Sequence, residues 1–124
     1  METEKLIKLI VQCIYNVRGE LKQGFLEAVY QRALMIELAD AGLMAEDERP
    51  MSVYYKGRIV GSFRADIIVE NSVIIEIKSV ENLTKAHEVQ LVNYLTSSGI
   101  ENGILVNFGE NFEVKRKFKT FRKV

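Results

Sequence analysis

Ala65-Asp66-Ile67-Ile68-Val69-Glu70-Asn71-Ser72-Val73-Ile74-Ile75-Glu76-Ile77-Lys78 reads as two β-rich runs joined by a polar break at Glu70-Asn71-Ser72. Asn71 tolerates a left-handed backbone, so the break makes a hairpin loop in which Val69 faces Val73. The same register sets Ile67 opposite Ile75 and Ala65 opposite Ile77, one unbroken apolar face. On the other face Ile68 meets Ile74, Asp66 meets Glu76, and Arg64 meets Lys78. Directly opposed residues have Cβ atoms about 4.5–5.5 Å apart, so two ionised carboxylates there repel unless a proton or cation lies between them.

Working outward, Val53 and Tyr55 lead into a Lys56-Gly57 turn and a run from Ile59 to Val69, completing a three-strand meander. Pro50 marks an edge or irregular start of the first strand. Upstream, Leu6, Leu9, Ile10, Cys13, Ile14, Val17 and Leu21 follow the helical repeat, which predicts a helix over 3–19 with Thr3 as its cap. Leu26, Val29, Tyr30, Ala33, Leu34 and Leu38 predict a second over 25–41, closed by Gly42. Downstream, Thr84 caps a third helix with Val89, Val92 and Leu95 on one face, ending at Gly99. Gly103–Phe108 reads as a buried strand, and 113–121 as a final one. The order is ααβββαβ, an α/β fold expected to occupy 1–124 as one domain.

The 124 residues are 48% hydrophobic and 27% charged, enough for one ordinary core. Lys5, Lys8 and Gln12 interrupt the opening segment, so neither a signal peptide nor a membrane span is expected, and the lone Cys13 reads as a core residue. A reducing, cytoplasmic setting is expected, with no membrane partner. Net charge is zero, so no global field draws the chain to nucleic acid. Lys115, Arg116, Lys117, Lys119, Arg122 and Lys123 nonetheless crowd the C-terminus around Phe118 and Phe121, either a phosphate-tracking tail or a solvated end. A homodimer through the first helix or final strand is a further expectation.

Two carboxylates with water suit Mg²⁺ or Mn²⁺ and leave room for a substrate phosphate. A lysine two residues on can orient the attacking water and stabilise developing charge. The bland alternative is a surface ion-pair ladder, against which Ile68 and Ile74 argue by placing apolar residues on the same face.

Asp66, nine residues, then Glu76-Ile77-Lys78 matches the D-x(n)-E-x-K signature, and its setting on the second and third strands resembles the αβββαβ core, a mixed sheet flanked by helices, of the PD-(D/E)XK nuclease superfamily. Ala65 replaces the proline of that pattern. Gly24-Phe25-Leu26-Glu27-Ala28-Val29-Tyr30 resembles the signature of the GxxExxY protein family, a likeness spanning nearly the whole chain. Gln90-Leu91-Val92-Asn93-Tyr94 is similar to the Q-x-x-x-Y element of RecB-like nucleases, and His87 lies on nearly the same helical stripe.

The resemblance implies a Mg²⁺-dependent phosphodiesterase acting on nucleic acid, DNA first, and leaving a 5′-phosphate. Asp66, Glu76 and the Ile77 carbonyl would bind metal with help from Glu27, and Lys78 would assist the water. Gln90, Tyr94, Arg64, Tyr30 and His87 would face substrate. Glu27 could instead be a helix-start glutamate, Tyr30 and Tyr94 packing, Gln90 a structural donor and His87 a cap. A non-catalytic nucleic-acid-binding or protein-interaction module on the same fold is the competing function, and a hydrolase of small phosphorylated metabolites a third.

Overall fold

The computed structural model describes residues 1–121. Its elements are α1 (Thr3–Leu21), α2 (Glu27–Asp40), β1 (Ala45–Tyr55), β2 (Arg58–Val69), β3 (Val73–Lys78), α3 (Lys85–Ser98), β4 (Asn102–Asn107) and β5 (Glu113–Phe118). The five strands form one sheet in the order β1-β2-β3-β4-β5, antiparallel except where α3 crosses over to make β3 and β4 parallel. This is the mixed, helix-flanked sheet expected of the αβββαβ core.

β3 is the middle strand and has both faces covered. Val73, Ile75 and Ile77 pack with Ile104, Val106 and Phe108 under α1 and α2, while Ile74 packs with Leu105 under Leu91 and Leu95 of α3. α1 contributes Leu6, Ile7, Ile10, Cys13, Ile14 and Val17, so its apolar stripe is buried within the chain. Burying each such aliphatic side chain contributes roughly 1.5–3 kcal/mol. No helix among the described residues is long and apolar enough to cross a membrane.

Several local expectations shift. Thr3 is the first helical residue rather than the cap, which is Glu2 without a side-chain bond. β1 starts at Ala45, so Pro50 lies inside it, tolerated because β1 is an edge strand with one side unpaired. The β2–β3 turn is left-handed at both Glu70 and Asn71, each with φ of 52°. Glu70 sits there because its N–H donates to the Met44 carbonyl at 2.7 Å and its carboxylate accepts from the Met44 N–H at 2.6 Å.

Candidate active site

The hairpin register holds from Val69↔Val73 to Ile67↔Ile75 and stops there. Strand alternation would put Ala65 on the face of Ile67, but Ala65 packs with Ile68 and Ile74 on the α3 side instead. The ribbon therefore changes face at Asp66. β1 does the same, since Asp47 pairs with Ile67 and Arg49 with Ala65, and the intervening Glu48 is left-handed (φ 52°). The expected Asp66–Glu76, Ala65–Ile77 and Arg64–Lys78 ladder pairs do not form, and Asp66 and Glu76 meet through side-chain bonds to backbone instead. Arg64 is exposed and reaches the Glu48 carbonyl at 3.4 Å.

In place of ladder bonds, the acidic side chains brace the opening. Glu76 Oε2 accepts from the Asp66 N–H at 2.8 Å, and Asp66 Oδ2 accepts from the Ile77 N–H at 2.7 Å. Each carboxylate thus commits one oxygen to backbone and keeps another. In a pleated strand a residue's N–H and C=O point to the same side, so the Ile77 carbonyl also points into this opening. Glu76 is only 4% exposed. Burial, then the Asp66 charge, push its carboxyl up to about 8, and burial lifts Asp66 to about 6 despite the Ile77 N–H. Glu48 and Glu27 add negative field at Asp66, and Lys78 opposes it. This half-buried surplus of negative charge would be relieved by a divalent cation.

The donors present fit Mg²⁺ or Mn²⁺. Among the described residues no three or more His, Cys, Asp or Glu side chains converge as a cage, so an ion here would rest on two carboxylates, a backbone carbonyl and water. Glu27, the exposed first residue of α2, stands close enough for its charge to be felt but not to complete such a cage. Its helix start is tied to the end of β3 by the Ser79 hydroxyl, which donates to the Phe25 carbonyl at 2.7 Å.

From the α3 side, Tyr94 stacks on Phe63 with centroids 4.0 Å apart. Burial, then Glu76 and Asp66, raise its phenol, so it lies within their field. Gln90 is exposed one turn earlier, its side chain making no hydrogen bond among the described residues. Two other candidates have structural work. Tyr30 is fully buried against Phe108, and its hydroxyl donates to the Lys22 carbonyl at 2.6 Å and accepts from the Phe25 N–H at 3.2 Å, closing the α1–α2 turn. His87 completes the α3 capping box: its Nδ1 accepts from the Thr84 N–H at 3.0 Å, and its own N–H donates to the Thr84 hydroxyl.

The family model described as the PD-(D/E)XK nuclease superfamily matches residues 4–121. The chain belongs to the PD-(D/E)XK nuclease superfamily. Among solved structures it is similar to the crystal structure of SSO0001, with a TM-score of 0.57 and 23% identity over 77% of this chain, a likeness of fold. The chain spans 52% of that structure's length. No curated protein matches.

Within this superfamily fold, two supports carry no motif in the sequence. Glu48 is brought to Asp66 only by the β1–β2 pairing. Asn107, fully buried, accepts from the N–H groups of Val80 (3.0 Å) and Gly109 (2.9 Å) and donates to the Val80 and Asn111 carbonyls, both at 2.9 Å. It locks the segment after Lys78 to the β4–β5 loop. Gly109 is required there, because a Cβ would lie 1.9 Å from the Val80 carbonyl oxygen. Half of the C-terminal basic cluster is paired: Lys115 and Lys117 with Glu88, and Arg116 with Glu4. Arg122 and Lys123 lie outside the described residues.

Proposed function

We propose that the chain is a Mg²⁺-dependent phosphodiesterase that cuts nucleic acid, DNA in the first instance, in the manner of its superfamily. The observation that carries the reading is the opened strand pair, where buried Glu76 and half-buried Asp66 each retain a carboxylate oxygen beside Lys78. Asp66, Glu76 and the Ile77 carbonyl would hold the metal, with Glu27 acting through water. When bound, the ion supplies Lewis-acid polarisation of a phosphate and acidifies water. Lys78 orients the water and stabilises charge developing on the phosphate oxygens. Tyr94 and Gln90 border the substrate side. The Gly24–Tyr30 motif supports placement in the GxxExxY family, and the buried lone cysteine suits a reducing cytoplasm.

The test is cleavage of single- and double-stranded DNA and RNA with Mg²⁺ or Mn²⁺, together with metal titration. Cleavage lost in Asp66→Ala and Lys78→Ala, with weakened metal binding in Asp66→Ala, supports the reading. No cleavage of any substrate, with metal binding unchanged in Asp66→Ala, rejects it. The absence of a third converging carboxylate among the described residues favours a second reading, a non-catalytic nucleic-acid-binding module, in which binding survives chelation and loss of Glu76.

A further inference from the structure

The β1–β2 ribbon runs well past the sheet. β3 pairs only with residues 67–69 of β2, and the distal half ends in the Lys56-Gly57 turn. At that tip Tyr54, Tyr55, Ile59 and Val60 are each more than 60% exposed. From Arg49 to Ala65 the chain has four cations, Arg49, Lys56, Arg58 and Arg64, and no Asp or Glu, although its overall charge is zero. Arg49 is engaged with Asn71 at 2.8 Å, but Lys56, Arg58 and Arg64 pair with no carboxylate among the described residues.

Tyr55 is directly opposite Arg58, so the two share one face of the ribbon, and Lys56 Nζ lies 5.5 Å from the Tyr55 ring centroid. With Lys56 over one face, the Tyr55 ring can stack a base on the other while Lys56 and Arg58, unpaired with any carboxylate among the described residues, bind phosphates. The turn also has a local cost. Lys56 and Gly57 are both left-handed (φ 50° and 77°), in a two-residue turn whose first position favours Asn over Lys. A solvated, merely connecting turn gains nothing from lysine there.

We propose that this hairpin tip is a nucleic-acid-holding finger, in which Lys56 and Arg58 bind phosphates and Tyr55 stacks on an unpaired base. The choice of nucleic acid over other polyanions rests on the functional reading above, because the same two strands carry Glu48 and Asp66 at their root. Arg58 lies eight positions from Asp66, a reach of about 26 Å at ~3.3 Å per residue. That is about eight duplex base steps of ~3.4 Å, so the finger grips the nucleic acid well away from the reacting phosphate.

Anisotropy of labelled single-stranded and duplex oligonucleotides with the full chain in EDTA, across a salt series, tests this without turnover. Lys56→Asn with Arg58→Ser should weaken binding about tenfold or more and reduce the slope of log affinity against log salt by about 1.8 on duplex. Tyr55→Ala should weaken single-strand binding about five- to hundredfold, and duplex binding less. Lys56→Asn alone should keep or raise the thermal midpoint while lowering affinity, a split that a purely structural turn would not produce.

Wild-type affinity and salt slope in all these variants overturns the finger. So does loss of a dimer on Tyr54→Ser with Ile59→Ser while oligonucleotide affinity stays put, which assigns the tip to self-association. Loss of sedimentation with phosphatidylserine vesicles in Lys56→Asn with Arg58→Ser, at unchanged oligonucleotide affinity, overturns it in favour of a lipid surface. A chain that binds through the tip in EDTA yet never cuts with Mg²⁺ retains the finger and loses the nuclease; one that cuts while tip variants bind and cut normally does the reverse.

Discussion

Glu76 and Glu88 are two glutamates of one small protein with opposite electrostatic fates. Glu76 sits in the middle strand, buried and beside another carboxylate, and its carboxyl is pushed up to about 8. Glu88, on α3, is clasped by Lys117 and Lys115, whose hydrogen bonds bring it down to about 2. Where α3 meets β5 the chain neutralises its own charge, and the result is a structural clasp. At the root of the β2–β3 hairpin it leaves negative charge in excess, and burial makes that excess useful to a cation and costly without one.

The largest expected effect follows from that excess. Asp66→Ala, Glu76→Ala and Lys78→Ala should each lower Mg²⁺-dependent cleavage about 10³-fold, measured as initial rates on a labelled oligonucleotide. Glu88→Gln should leave the rate within about twofold. Equal losses on both sides would erase the distinction between clasp and site.

Stability against pH sharpens it. The Asp66 and Glu76 carboxyls titrate higher folded than unfolded, so the stability they contribute is full below about pH 4 and lost as pH rises through about 6 and then 8. Thermal midpoints in EDTA should therefore fall across that window, with Mg²⁺ recovering much of the loss at pH 8. Glu76→Gln should flatten the profile and raise the midpoint at pH 8 while abolishing cleavage. A flat wild-type profile would mean that Glu76 is solvated. Glu88 has the opposite sign: its stabilisation is present above the ordinary carboxylate range and lost as pH falls through about 2.

Asn107 offers a neutral control, a buried polar group whose bonds are all satisfied within the chain. Asn107→Ala strands the Val80 and Gly109 N–H groups and should cost about 2 kcal/mol in denaturant unfolding, independent of pH between 5 and 8. A pH-dependent loss would tie it to the carboxylates. The smallest effect belongs to the clasp: Glu88→Gln should give a slight fall in thermal midpoint that high salt removes, because Lys115 and Lys117 keep about a third of their side chains in solvent. A large, salt-insensitive fall would place Glu88 among the buried acids.

The element order was written in the periodicities themselves. Four alternating apolar positions around Asn71, namely Ile67, Val69, Val73 and Ile75, give the hairpin its register, because a one-residue slip would turn every one of them to the wrong face. Thr84 and Gly99 mark the ends of α3 by cap chemistry that acts within a turn of helix. Local rules reached those features because the interactions that enforce them span few residues.

What local rules could not supply is the face change at Asp66, the approach of Glu48, the Asn107 knot, and the burial of the Tyr30 hydroxyl in a turn instead of a substrate face. Each depends on which distant segment packs alongside, and that is set only when the whole sheet closes. The sequence by itself determined the strands, helices and acidic pair, since side-chain period and turn residues are properties of neighbours. Tertiary structure alone decided which charges meet a counter-charge and which stay bare, because desolvation and pairing depend on the complete set of surrounding atoms.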